Sequence, residues 1–527
     1  MDFLKIGKAD ELKGRDQKIY RLLEILPGFC SWLILLSLVV LSYFRPILVA
    51  YFIIAFDIYW LLLVIYLMLH LVVSYRLMKK NLAKNWREEL TGLPTVDIRV
   101  KNINGQDEIV KNVSWPDIIH LLILPVYKES LEIMRPTIKA IIDSGYPLDK
   151  IIIVIALEAR AGQESLVWAN LLMDEFGLYF RNFLISVHPD NIPGEIKGKG
   201  SNQAWAAKLV KVKIIDKEDL DYNKIIVSVF DIDTVIYPEY FHILTYKFLT
   251  SSYPHRLSYQ PIPIYNNNIW EAPFFSRVAA SSNTFWQMMQ QIRQEKLATY
   301  SSHAMSWRAL SEIGFWSTNM VSEDSRIFWH CFCYYRGDYR VEPLHYPVSM
   351  DVCMDEKKLT TIKNLYKQQR RWGWGVENIP YLIFNTLKIW PNIPKGKFIN
   401  RIIVQLYGFL SWSTNALIIA VIGWLPLFLG GNRFTSTVLS NNLPSITRTL
   451  MTLAMTGLVV SAIMSTLLLP SKPKNFGFIK YVFIVVQWMI LPISIIIFGA
   501  IPGLEAQTRL MLGKYLGFWT TPKTRSI

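Results

Sequence analysis

Residues 25–44, ILPGFCSWLILLSLVVLSYF, carry no charge over a length that crosses a bilayer as a helix, about 20 residues. No other feature constrains the chain as strongly, because hydrocarbon admits only helices or closed barrels. A second such stretch follows at once. Residues 46–73 hold Asp57 and His70 as their only acidic or basic side chains, and Arg45-Pro46 between the two stretches predicts a tight hairpin. Three further apolar stretches, 402–429, 450–470 and 481–502, lie towards the C-terminus. The chain therefore reads as an integral membrane protein with a large polar middle.

Charge orients this arrangement. Lys13, Arg15, Lys18 and Arg21 precede the hairpin, and Arg76, Lys79, Lys80, Lys84 and Arg87 follow it. The positive-inside bias then places both ends of the hairpin, and the middle region, in the cytoplasm. The first 24 residues carry both signs and lead into a long, repeated apolar stretch, which is not the pattern of a cleaved signal. The net charge of +15 is accounted for by this flanking charge and by anionic headgroups. No basic-aromatic module points to nucleic acid. Cys30, Cys331, Cys333 and Cys353 show no zinc spacing and read as free thiols in a reducing compartment. Asp57 within the second span is costly in hydrocarbon, and reads as either a buried hydrogen-bonded group or part of a pathway. Trp374, Trp412, Trp424 and Trp488 read as packing or interfacial anchors rather than a sugar path. Topology does not close by charge alone. With the loop 431–448 outside and the basic run to Lys474 inside, a fifth full span leaves Arg509, Lys514, Lys523 and Arg525 outside. Either 481–502 is re-entrant at Pro492 or the tail is external.

Between the apolar ends, 75–116 reads as a polar linker with an amphipathic helix leading in. From there strands and helices alternate. Residues 118–124, 150–157, 183–187 and 225–230 are β-branched apolar runs. Helical stretches are expected at 130–144, 164–176 and 201–210, the last with Ser201 or Asn202 as N-cap. Such alternation predicts βαβ units and a parallel sheet. The strand 225–230 ends in Asp231-Ile-Asp233. Ligands in open α/β sheets sit at the carboxyl ends of strands, where two aspartates suit a divalent cation shared with phosphates; alone, the pair also fits the start of a turn. Gly194-Glu-Ile-Lys-Gly198-Lys199-Gly200 is too short for a phosphate loop, and no dinucleotide fingerprint follows the first strand.

Two features lie downstream. Glu323 and Asp324 open an expected helix, 324–335, where the dipole favours carboxylates. They fit capping, and Asp324 also fits a general base. Gln368-Gln-Arg-Arg371-Trp372 closes a second expected helix, 361–372. Gln368, Arg371 and Trp372 share one face of it, suiting either a diphosphate clamp with a sugar-stacking indole or an interfacial helix.

Pro125-x-Tyr127-x-Glu129, Glu158, Asp231-Ile-Asp233, Glu323-Asp324 and Gln368-Gln-Arg-Arg371-Trp372 occur in the order seen in membrane-embedded family 2 glycosyltransferases, which the chain resembles over roughly 117–375. That group includes the cellulose, hyaluronan and chitin synthases and bacterial relatives; the tail from Glu505 to Gly513 and Phe518 to Lys523 is also similar to some of them. The resemblance implies an α/β, GT-A-like (Rossmann-like) cytoplasmic domain between transmembrane helices. The implied division is 1–24 cytoplasmic segment, 25–74 hairpin, 75–116 linker, 117–375 catalytic domain, 376–401 interfacial helices, 402–503 membrane segments and 504–527 tail. It implies Pro125, Tyr127, Glu129 and Glu158 near base and ribose, with Glu158 where the family often has Asp, and Lys199 near the nucleotide. Asp231 would hold the nucleotide side and Asp233 would ligate Mg²⁺ or Mn²⁺. Asp324, preceded by Glu323, would be the base; Gln368 and Arg371 would bind the diphosphate, and Trp372 the acceptor. The expected activity is inverting transfer from a nucleotide-diphosphate sugar, a UDP-sugar foremost, to a growing glycan. The alternatives are transfer of one sugar to a polyprenyl phosphate or glycolipid, and an inert transport or assembly scaffold.

Overall fold

The runs that carry the alternation fold as expected because they are apolar on both faces. The computed structural model describes residues 2–101, 105–473 and 477–522; Lys474, Lys523 and Arg525 lie outside the described residues. Ten strands are present: β1 (Val96–Lys101), β2 (Asp107–Val113), β3 (Ile119–Val126), β4 (Ile151–Glu158), β5 (Asn182–His188), β6 (Ile225–Val229), β7 (Val235–Ile236), β8 (Leu257–Tyr265), β9 (Ala304–Ser306) and β10 (Arg340–Met350). Side chains on β3 alternate between two cores. Leu121 and Ile123 enter one, Leu122 and Leu124 the other, as the two-residue period of a strand requires. Each such side chain contributes about 1.5–3 kcal/mol relative to exposure, so the sheet is held from both faces.

The eight-stranded sheet runs β5-β4-β3-β6-β9-β8-β10-β7. β5, β4, β3 and β6 are mutually parallel, and β8 is parallel to β10. β9 pairs antiparallel with both β6 and β8, and β7 antiparallel with β10. The expected parallel sheet is thus a mixed one. Its Rossmann-like half is the one expected; the reversal enters through three residues of β9.

Other expectations need correction. The stretch 75–116, expected as a linker with a helix leading in, holds a short helix, Trp86–Thr91, and in addition the β1-β2 hairpin. The helix expected at 201–210 begins at Lys199, with Gly198 as N-cap. Ser201 Oγ donates back to the Ile196 and Gly198 carbonyls, and Asn202 Nδ2 donates to the Ala156 carbonyl, so neither caps the helix.

Among the described residues five helices are long and apolar enough to cross a membrane: Gly14–Phe44, Pro46–Leu82, Lys395–Ala420, Val438–Leu467 and Val482–Met511. The polar stretch 431–448, expected as a loop, is helical over Gly431–Thr435 and from Val438 onward. The expected third span, 402–429, is broken after Ala420 by the turn Ile422–Trp424. Asp57 is buried beside Thr447 of the fourth such helix.

Candidate active site

The carboxyl ends of β4, β3 and β6 lie side by side, so Glu158, Tyr127 and Asp231 share one edge of the sheet. Past β6 the chain turns at once, the Thr234 amide donating to the Asp231 carbonyl at 2.8 Å. The segment before β9 holds this turn from behind. Ser301 Oγ donates to Asp231 Oδ2 at 2.8 Å, and Ser302 Oγ lies 3.1 Å from Thr234 Oγ1. Ser302 takes a left-handed φ of 65°, a conformation that costs a non-glycine residue energy and that the surrounding contacts impose. Asp233 is buried. Its Oδ2 accepts the Asp351 amide at 3.0 Å, while Asn267 Nδ2 bridges the Asp233 carbonyl and Asp351 Oδ1 at 2.8 Å each.

Lys199 joins the aspartate turn to the downstream pair. Its Nζ lies 2.8 Å from Asp231 Oδ1, 2.9 Å from both Asp324 oxygens and 4.0 Å from Glu323 Oε1. Burial pulls the ammonium towards deprotonation, but the charges of Asp231, Asp324 and Glu323 outweigh it and hold the lysine protonated well above its ordinary range. Glu323 is pushed the other way. Burial, then the charge of Asp324, raise its carboxyl, and Lys199 and Arg371 only partly offset this. The helix carrying Lys199 approaches Glu323 closely because residue 200 is glycine; a Cβ there would lie 2.9 Å from the Ser317 carbonyl and 3.1 Å from Glu323 Cβ. Glu323 and Asp324 differ in access, with side chains 2% and 24% exposed. Of the two carboxylates, only that of Asp324 is open to solvent.

The helix Lys358–Gly373 separates its two arginines. Arg370 points to the last apolar helix, donating to Glu505 Oε1 at 2.7 Å. Arg371 faces the carboxylates. Its Nε is buried without a protein acceptor, and the Phe518 ring of the tail lies 5.0 Å from its guanidinium. The Trp372 ring sits 6.1 Å from Tyr265, at the end of β8. Burial raises the Tyr265 hydroxyl well above its usual range, as do Asp231 and Asp233. Gln368 is half-buried on the same helix.

On the β4 side, Pro125 closes β3 and Glu129 Oε2 accepts the Tyr127 amide at 2.7 Å, so that carboxylate shapes its own loop. The Tyr127 ring carries the Arg160 guanidinium at 4.6 Å, and Arg160 Nε donates to Glu158 Oε2 at 2.7 Å. Beside them opens a cavity of about 230 Å³ lined by Glu158, Arg160, His188, Asp190, Glu195 and Lys197. Arg160, Tyr265, Asn267, Ser301 and Asp351 are absent from the sequence-based assignment. Tyr265-Asn-Asn-Asn268 on its own looks like a turn, and no spacing links it to Asp233.

Among the described residues no group of three or more His, Cys, Asp or Glu side chains is placed to hold a metal ion by itself. Asp231 and Asp233 are hard oxygen donors, and a pair of carboxylates completed by phosphate oxygens and water suits Mg²⁺ or Mn²⁺. The donor set fits such an ion.

Among solved structures, a mannosyltransferase of Pyrobaculum calidifontis, PcManGT in complex with GDP-mannose and Mn²⁺, is 13% identical, with 79% of this chain and 99% of that chain covered and a TM-score of 0.39. S. aureus TarS 1–349 in complex with UDP-GlcNAc is 9% identical, with 66% and 91% covered and a TM-score of 0.34. No curated protein matches the sequence. A family model, glycosyl transferase family group 2, matches residues 226–498, from the strand that ends in the two aspartates through the helix that bears Arg371 and on into the last apolar segment. That is more than half of the chain, and with its GT-A-like sheet between apolar helices the chain belongs to glycosyl transferase family group 2.

Proposed function

We propose that this family 2 glycosyltransferase inverts the anomeric centre of a sugar it takes from a nucleotide-diphosphate donor, a UDP-sugar foremost, and passes to a growing glycan at the cytoplasmic face of a membrane, with 117–375 as the catalytic domain. The observation that carries the proposal is Lys199, whose one ammonium bridges Asp231 at the end of β6 and Asp324 at the start of its helix. It puts the two motifs, 93 residues apart in sequence, into one charge cluster.

The roles follow from access and charge. The base and ribose fit beside Tyr127, Glu129, Glu158 and Arg160. Lys199 and Arg371 face the place of the diphosphate, and a guanidinium can hold two of its oxygens at once. What Mg²⁺ or Mn²⁺ supplies there, bound by Asp233 and Asp231, is neutralisation of charge on the leaving diphosphate. Asp324 takes the proton of the acceptor hydroxyl once Lys199 shifts towards the donor's phosphates. Glu323, buried behind it, sets the local charge. Trp372 and Tyr265 give the acceptor sugar an aromatic wall. One exposed carboxylate suffices for direct displacement, which inverts the centre; a two-carboxylate pair on either side of the bond is a glycosidase device.

The test is release of nucleoside diphosphate by the purified protein supplied with UDP-sugars and Mg²⁺ or Mn²⁺. Asp324→Asn should lower turnover by about 10²–10⁴-fold with donor binding retained. No release from any common nucleotide sugar, or a fully active Asp324→Asn, overturns the proposal. Product size by mass spectrometry separates a polymer from a single sugar on a lipid.

A further inference from the structure

Glu377 lies in the turn Trp374–Glu377, which directly continues the helix bearing Arg371. Its carboxylate is buried, 6% exposed. Oε1 accepts the amides of Val321 at 3.2 Å and Ser322 at 2.8 Å, and Oε2 accepts the indole Nε1–H of Trp374 at 2.9 Å. Ser322 is the N-cap of the helix Glu323–Tyr334 and makes no side-chain cap bond. The amides just ahead of Asp324 would be without partners at a buried helix start; Glu377 supplies them from 55 residues away.

The same knot is tied from below by Arg326, on the first turn after Asp324. Its Nε donates to Asn378 Oδ1 at 2.6 Å, Nη2 to the Glu377 carbonyl at 3.2 Å and Nη1 to the Ile6 carbonyl at 3.0 Å. Asn378 Nδ2 donates to Ser325 Oγ at 2.9 Å. Burial raises the Glu377 carboxyl, while the Arg326 charge and the Ser322 amide draw it back.

We infer that Glu377 is a positioning residue for Asp324, a single carboxylate that fixes the loop carrying the base against the helix carrying Arg371. This rests on the reading of Asp324 as the acceptor's base. The geometry calls for a carboxylate. Three N–H donors converge on its two oxygens, and only a group that accepts at both ends satisfies them. A glutamine in its place keeps the shape but aims an NH₂ at either the indole N–H or the two amides. Base and clamp then lose their common reference, and a misplacement of about 1 Å in such a pair costs about 100-fold in rate.

Three measurements on the full chain test this. Glu377→Gln should lower kcat by about 100-fold while the KM for the donor holds. Hydrogen exchange at the Val321 and Ser322 amides should accelerate in the same variant. Trp374→Phe combined with Glu377→Gln removes the indole N–H that the glutamine NH₂ would face, so the double variant should be faster than Glu377→Gln and slower to exchange at those amides. Wild-type kcat in Glu377→Gln, unchanged exchange at the two amides, or a double variant no faster than the single one overturns the inference. If the wild-type protein releases no nucleoside diphosphate from any donor, the reading of the reaction fails, and amide exchange still reads Glu377's hold on the loop.

Discussion

Replacing Lys199 by methionine removes the only cation in direct ion-pair contact with both Asp231 and Asp324 among the described residues, and leaves a side chain of similar length. The wild-type ammonium is 2.8 Å from one carboxylate and 2.9 Å from both oxygens of the other, on a side chain 10% exposed. Breaking a buried ion pair from one side costs about 3–5 kcal/mol. The side chains of Asp231 and Asp324 are 28% and 24% exposed, so water tempers the loss towards the lower figure. For a domain of this size that is on the order of 10 °C in midpoint. The pH dependence has a definite sign. In Lys199→Met the Glu323 carboxyl, raised above its unfolded value by burial and by Asp324, loses the ammonium that partly offsets that rise. Stability from such groups is fully present below the unfolded value, about 4, and is lost as pH rises through the folded value. Lys199 in the wild type is itself raised, so its contribution is intact below the ordinary lysine value and fades only as pH climbs through the higher folded one. The gap between wild type and variant should therefore be small near pH 4–5 and wide at pH 8. Thermal unfolding of the detergent-solubilised protein, followed by tryptophan fluorescence at both pH values, measures it. A gap that is absent, constant with pH or wider in acid refutes the account of Lys199 as the counter-charge of the cluster.

Glu323→Gln should do the reverse. Burial and Asp324 raise the Glu323 carboxyl, so the wild type loses stability as pH rises from about 4.5 through that raised value, and the glutamine variant does not. Its midpoint should exceed that of the wild type increasingly towards pH 8, as a pH series of melting curves would read; parallel curves count against it. The two arginines should part company. Arg371→Met should weaken nucleoside-diphosphate binding in a titration with Mn²⁺ present, whereas Arg370→Met, which loses Glu505, should lower the melting midpoint and leave that affinity within about twofold, since half-exposed ion pairs contribute only about 0–1 kcal/mol. Equal loss of affinity in both variants would remove the distinction.

What was legible in the sequence was whatever is written in local pattern. β3 and β4 are continuous apolar runs, and parallel strands buried on both faces have no other way to look. The five apolar helices announce themselves by length. β9 does not, because Ala304-Met-Ser306 has neither length nor alternation, and its antiparallel place is set by pairing with β6 and β8 together. The polar stretch from 438 to 448 looks like a loop in sequence; it is helical because Ser440, Leu443, Thr447 and Ala454 turn one face inward, at spacings of three, four and seven. Asp231, Asp324 and Arg371 stand in short motifs, so residue type and order located them. Glu377 and Asp351 stand in none. Glu377 accepts an amide 55 residues away and the Asp351 amide donates to Asp233 118 residues away, and nothing local marks either contact. Arg370 and Arg371 are neighbours of one type, and only the direction each takes from the helix tells them apart.

The position of Arg371 depends on the apolar helices as much as on the sheet. On the outer face of its helix, Tyr366 Oη and Arg370 Nη1 both donate to Glu505 at 2.7 Å. At its end, a Cβ on Gly373 would lie 3.2 Å from the Gly503 Cα, so the helix and the last apolar segment touch backbone to backbone. That segment is gripped in turn by the first helix. Arg21 Nη1 donates to the Leu510 carbonyl at 2.8 Å, Tyr515 donates to Glu24 Oε2 at 2.8 Å, and Ser31 donates to Gln507 Oε1 at 2.6 Å. The chain then runs on to Phe518, beside Arg371. The helix that opens with Glu323 and Asp324 has its own tie to the N-terminus, through Arg326 and the Ile6 carbonyl. Asp324 and Arg371 are thus each referred to the N-terminal end of the chain by a different route, and their segments are tied to each other by Glu377. A catalytic domain cut free at 117 and 375 would keep every side chain of the five sequence motifs and lose Glu377, Glu505 and Ile6, three of the anchors that hold those motifs in register. The unit that holds these motifs in register is the sheet together with its flanking helices.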